Sequence, residues 1–236
     1  MLLVHSSQIP DDYLCKLDEL IPGLERVALP ESIDVYPSIS SHPDIFFCQL
    51  MSKTLISSPR IEEALLLDLK RSGVDIIISK RPPFGRYPGT ASLNAACVGK
   101  NLIHKQDITD PAIKNAAKAR GFRLIDCDQG YARCSTVPVK ESALITSDVG
   151  IQEAAKETGI KTLLIRPGHV ALPGEAYGFI GGASGILPDD SVIFLGDIRL
   201  HPDFSAIERF LADHKTGYSY LAGLPLYDSG SLIFIN

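Results

Sequence analysis

No stretch of the chain approaches the roughly eighteen consecutive apolar residues that a bilayer-crossing helix needs, so no membrane span is expected. A basic start followed by a long apolar segment is missing too, and MLLVHSSQIPDD does not read as a signal peptide. Positive charge is in short supply. Lys and Arg number 23 against 28 Asp and Glu, a net charge of −5, which argues against a nucleic-acid-binding surface. The 5 cysteines are irregularly spaced and form no C-x-x-C pair, so no zinc or other metal site is expected. That usage suits reduced thiols in a cytoplasmic protein. The glycine run 181–185 follows a predicted strand but opens no helix, so it does not make a phosphate cradle, and no cofactor is implied. Disorder is excluded, because 45% hydrophobic and 22% charged residues can bury a sizeable core.

What the sequence does hold is a repeated unit, clearest at 134–165. Small and β-branched residues at 134–139 predict a strand, and 143–146 a second one after a polar turn. Ser147 or Asp148 can cap a helix whose apolar face carries Ile151, Ala154, Ala155 and Thr158. Gly159 closes that helix, and 160–165 is a third strand. The same strand–strand–helix–strand order is predicted from 45 to 78, from 92 to 125 and from 179 to 221. The segments 80–89 and 166–177 read as loops, the first because three prolines and two glycines exclude helix and central strand.

The N-terminal copy is incomplete. It supplies a second strand at 2–5, a helix from Pro10 and a third strand at 24–29, but no first strand. A lone first strand, 231–235, ends the chain. Glycines that end the helices recur at Gly23, Gly73, Gly121, Gly159 and Gly217. Repeats that cannot bury their own faces must stack on one another. A copy divided between the two ends predicts that the array closes, which removes both free strand edges. The expected fold is therefore α/β: a closed five-module α/β-propeller of pseudo-fivefold symmetry, one domain over 1–236, its fifth module shared by the two termini. An open sheet of generic βα units is the alternative.

Such a ring resembles the pentein fold of the guanidino-group-modifying enzymes. The C-terminal half, with RPGHV, YGFIGGASG and GDIRLHPD, resembles an uncharacterised bacterial family assigned to that fold. Three motifs of the enzymes have counterparts. Gly130-Tyr131-Ala132-Arg133-Cys134-Ser135-Thr136 is similar to the glycine-rich strand that ends in a nucleophilic cysteine. His42-Pro43-Asp44 is similar to the deiminase H-x-D. Gly181-Gly182-Ala183 is similar to G-G-D, with its acid replaced. The cyclic order and spacing of the motifs match those of the enzymes, with the chain break moved as in a circular permutation.

The resemblance implies an enzyme, hydrolase or amidinotransferase-like, that modifies guanidino, amidine or amide groups. Cys134 would be its nucleophile and His42 its acid/base. Asp44 would bind the cationic group of a small-molecule substrate. Arg133 would lower the thiol pKa or bind a substrate carboxylate. Gly181 and Gly182 of the matched glycine motif, and Asp228 and His169 in loops expected near one face of the ring, are further candidates for substrate binding. The thiol is expected below its free value of about 8.5, with His42 within roughly 4–8 Å of it. Buried structural roles stand beside these: a small apolar side chain for Cys134 and helix-entry chemistry for His-Pro-Asp. Ala183 leaves a second class open, a non-catalytic protein of the same fold that binds a small cationic ligand or a macromolecular partner. A translation initiation factor of that fold is an example.

Overall fold

The computed structural model describes residues 1–235. Its strands form five three-stranded sheets in a mixed α/β arrangement. The first sheet begins with β1 (Leu2–Ser6), which pairs in parallel with β2 (Glu25–Leu29). Helix α1 (Asp11–Leu20) connects them and buries Tyr13 and Leu17. After the four-residue helix α2 (Pro43–Phe46), the second sheet holds β3 (Phe47–Met51), β4 (Thr54–Ser57) and β5 (Asp75–Ile78), with α3 (Glu63–Arg71) before its last strand. The third has β6 (Ala96–Val98), β7 (Asn101–His104), α4 (Pro111–Ala119) and β8 (Arg123–Asp126).

A second short helix, α5 (Ala132–Ser135), opens the fourth sheet: β9 (Thr136–Val139), β10 (Ala143–Thr146), α6 (Val149–Lys156) and β11 (Lys161–Leu164). The fifth has β12 (Ser184–Ile186), β13 (Val192–Phe194), α7 (Phe204–Asp213) and β14 (Tyr218–Tyr220). Finally β15 (Ile233–Ile235) returns to the first sheet and pairs antiparallel with β1, Leu3 opposite Phe234. In every sheet the middle strand pairs antiparallel with the first strand of the unit and parallel with the third. The parallel connection is made by a helix, as a same-direction crossover requires.

Local chemistry sets the helix ends. Asp110 caps α4 by accepting from the Ala112 amide at 2.8 Å, and Asp148 caps α6 by accepting from Ile151 at 2.8 Å. Gly23, Gly73, Gly121 and Gly159 follow their helices with φ between +74° and +85°, the left-handed geometry glycine adopts freely. Gly217 breaks this pattern: Lys215, at φ +52°, makes the left-handed turn after α7.

Five apolar clusters hold the sheets together, and each spans two successive units. One joins Val4 and Ile233 of the first sheet to Phe47 and Leu55 of the second. The next joins the second sheet to the third through Cys48, Ile56 and Leu102. Ile103 and Leu144 belong to the third-to-fourth cluster, and Val137 and Phe194 to the fourth-to-fifth. Ile193 and Leu195 of the fifth unit pack with Leu3, Leu17 and Phe234 of the first. Strand β3 also meets β15 directly, through Gln49 Nε2 donating to the Phe234 carbonyl at 2.9 Å. Among the described residues no helix is long and apolar enough to cross a membrane.

The first strands begin later than the sequence predicts. The strand expected from 45 is preceded by α2, so His42 stands at a helix N-cap and not at the start of a strand. Likewise Cys134 lies in α5, one short turn before β9. Residues 92–95 and 179–183 are loop. Periodicity over four residues does not separate a buried helical turn from a buried strand.

Candidate functional site

The N-terminal ends of β9, β3 and β12 and the approach to β15 deliver the residues of one buried site. Cys134 is 3% exposed and His42, Asp44 and Asp228 no more than 2%. The Cys134 thiol donates to Asp44 Oδ2 at 3.0 Å. The same carboxylate oxygen accepts from Ser231 Oγ at 2.6 Å. Asn94 Nδ2 donates to the sulphur at 3.1 Å, while its Oδ1 accepts from the Cys134 amide at 3.1 Å. His42 Nδ1 stands 3.9 Å from Asp228 Oδ1, a charge contact longer than a hydrogen bond. Asp228 accepts from the Phe179 amide at 2.8 Å and the Gly230 amide at 3.0 Å. Two buried polar atoms, Asp44 Oδ1 and His42 Nδ1, have no hydrogen-bond partner among the described residues.

Cys134, His42 and Asp228 line one cavity of about 350 Å³, with Tyr36, Tyr131 and Glu175 on its walls. A wider cavity of about 780 Å³ shares His42, both tyrosines, Leu172 and Glu175, and adds Gln8, Arg86 and Tyr87. At the junction Tyr36 and Tyr131 touch through their hydroxyls at 3.0 Å, and Thr90 meets the Tyr131 hydroxyl at 2.5 Å.

The electrostatics follow from burial of like charges. Desolvation raises the Asp44 carboxyl, and neighbouring Asp228 adds to it. Burial raises Asp228 to about 6 against its two amide bonds. His42 is lowered to about 4 by burial, with Asp44 pulling the other way, and is neutral at pH 7. The expectation of a depressed thiol is overturned. Burial first, then the charges of Asp44 and Asp228, push Cys134 well above its ordinary value. Arg133 does not reverse this. Its guanidinium donates to the carbonyls of Thr136, Gly181 and Ser184 at 3.0, 3.1 and 3.4 Å. Those bonds tie α5 to the start of β12 and point it away from any incoming carboxylate.

The two glycines of the G-G-A motif are needed for close approach. A Cβ at Gly181 would collide with the carbonyl oxygens of Arg133, Cys134 and Thr136, and one at Gly182 with the Asp228 carboxylate. Ala183 faces the apolar cluster with Val137 and Phe194, where an acid would be buried unpaired. Asp228 instead brings a carboxylate over Gly182. His169 is elsewhere: it lies edge-on against His201, ring centres 5.2 Å apart, and lines neither cavity. Asn94, Ser231 and Tyr36 had no motif to announce them, and Tyr131 lay in the cysteine motif with no role assigned. The one signal was a lone polar residue in an apolar stretch, Asn94 in SLNAACV and Ser231 before LIFI. Among the described residues no group of three or more His, Cys, Asp or Glu side chains could hold a metal ion.

The model of a family described as a family of unknown function, DUF6873, matches residues 4–233. No curated protein matches the chain in sequence. Among solved structures, SxtG, an amidinotransferase from Microseira wollei in the saxitoxin biosynthetic pathway, is similar at 12% identity and a TM-score of 0.54, over 93% of this chain and 88% of that one. The agmatine deiminase of C. jejuni is similar at 10% identity and a TM-score of 0.50, over 93% of this chain and 74% of that one. At such identities the likeness speaks for the fold alone, and both neighbours have the pentein fold.

Proposed function

The chain belongs to the DUF6873 family, which brings no activity with it, and we propose from the cavity itself that it is a guanidino- or amidine-modifying enzyme. Its reaction is hydrolysis or amidino transfer, with Cys134 as nucleophile and His42 as acid/base. The observation that carries this reading is the 3.0 Å contact of Cys134 Sγ with Asp44, beside a cavity that Cys134 shares with His42 and Asp228. Two desolvated carboxylates with one unpartnered oxygen favour a planar, multiply donating cation over a neutral amide. Residues 1–236 act as one domain in which the five sheets close into a ring. Apolar clusters that link each sheet to the next, including the fifth to the first, support that closure.

The chemistry balances with the residues present. A bound amidinium donates to Asp44 and Asp228 and offsets the charges that hold the thiol protonated. The thiol then gives its proton to neutral His42, and the thiolate forms a bond to the amidine carbon. His42 returns the proton to the leaving amine as the C–N bond breaks. Neutral again, it takes a proton from water in hydrolysis, or from an acceptor amine in transfer, as that oxygen or nitrogen bonds to the carbon; the C–S bond breaks and His42 returns the proton to the released sulphur. The raised thiol favours a second reading, a protein that binds a small cation without turnover.

The test is incubation with a panel of guanidines and amidines, including a haloacetamidine, followed by mass spectrometry. The enzyme reading expects product, or an adduct on Cys134 that His42→Ala slows. Ligands that raise Tm with neither product nor selective adduct leave the binding reading in its place.

A further inference from the structure

Asn94 bonds Arg133, Cys134 and Asp44, and no catalytic motif contains it. It is fully buried in the loop before β6. Its backbone carbonyl accepts from Arg133 N at 2.9 Å. Its Oδ1 accepts from Cys134 N at 3.1 Å. Its Nδ2 donates to the Asp44 carbonyl at 3.0 Å and to Cys134 Sγ at 3.1 Å. These contacts fix which way the amide points. A flipped amide would set oxygen against the Asp44 carbonyl and hydrogens against the Cys134 N–H. Nδ2 carries two hydrogens, one for each of its acceptors. The sulphur therefore sits between a donor, Asn94, and an acceptor, Asp44.

We propose that Asn94 is the positioning residue of Cys134, holding the sulphur in place and donating the hydrogen bond that carries the thiolate. The inference rests on the reading of Cys134 as nucleophile and deepens it. Among the described residues no other group facing the sulphur donates a hydrogen bond to it, although the charge of Arg133 favours the thiolate through space. Asp44, from α2, and Asp228, from the loop before β15, are anionic when charged and oppose it. His42 is neutral. Tyr36 and Tyr131 bond each other across the cavity, and Arg133 is committed to three carbonyls. A hydrogen bond donated to a charged form favours that form, and among these neighbours Asn94 is the one that supplies it.

The test uses alkylation of Cys134 by iodoacetamide across pH, followed peptide by peptide, in the wild type and in Asn94→Leu. The variant removes the donor to sulphur without placing a new charge beside it. The expected result is an alkylation profile displaced upward by about one pH unit or more, about tenfold slower at a fixed pH below the midpoint, with an unchanged high-pH plateau. An undisplaced profile overturns the proposal. Should the variant fail to fold, the Asn94 side-chain amide resonances of the wild type decide. They are expected to titrate with the Cys134 midpoint and to lose that step in Cys134→Ser; amide signals indifferent to thiol ionisation overturn the proposal. These readouts do not need turnover. A displaced profile without product rejects the enzyme reading and keeps the role of Asn94.

Discussion

Cys134 and Asp44 face each other at 3.0 Å across two different units of the fold, thiol hydrogen to carboxylate oxygen. Burial and then this acidic neighbour hold the sulphur in its protonated form. The first prediction removes the charge. In Asp44→Asn the thiol is expected to ionise at lower pH, and Cys134 to alkylate faster at neutral pH by about tenfold for each unit of displacement. Turnover of a cationic substrate is expected to fall in the same variant. Slower or unchanged alkylation would show that Asp44 does not control the sulphur.

His42 offers a test through stability. Its folded pKa, about 4, lies below the ordinary 6.5. The unfolded chain therefore binds this proton more readily, and stability is lost as pH falls from 6.5 towards 4. His42→Gln removes that loss. Its Tm relative to wild type is expected to climb over the same interval. A difference in Tm that is flat with pH would contradict the buried, neutral imidazole.

Asp228 slopes the opposite way. Its folded pKa is raised from 3.8 to about 6, so the folded state binds the proton more tightly, and stability falls as pH rises from about 4 through 6. The Tm of Asp228→Asn relative to wild type is expected to increase with rising pH across that window, whatever constant offset the lost amide acceptor adds. Thermal melts at fixed ionic strength from pH 3.5 to 7 would show it, and a decreasing difference would refute the assignment.

Gly182→Ala tests the fit of the Asp228 carboxylate against the backbone. The added methyl collides with that carboxylate, and overpacking of this kind costs about 1–3 kcal/mol. Denaturant melts should show the loss, together with weakened binding of any cationic ligand. A variant of wild-type stability and affinity would mean that Asp228 does not occupy this space.

Much of the architecture was legible because the signals are local. Capping aspartates and left-handed glycines each act through neighbours a few residues away, and four of the five expected glycines make the turn. Gly217 failed because Lys215 adopts the same conformation two residues earlier. The site was harder to read for the opposite reason. Cys134 bonds Asn94 and Asp44, forty and ninety positions back, and Ser231 reaches Asp44 across 187. Direction of ionisation was beyond reach for the same cause: Arg133, adjacent in sequence, points to backbone carbonyls, while remote acids govern the sulphur. His169 shared a loop signature with Asp228 but not its position.

The pairing of β15 with β1 has a consequence for biosynthesis. A ribosome adds on the order of 5–20 residues per second, so Leu3 emerges some tens of seconds before Phe234 exists to pair with it. Throughout that interval β1, whose five residues are all buried in the finished protein, waits with one edge bare. The carboxylate of Asp44 likewise waits for the hydroxyl of Ser231. A chain released before Ser231 is made therefore lacks both the closing strand and the hydroxyl that Asp44 accepts from. Truncated copies of this protein would be a load for the cell's chaperones and proteases.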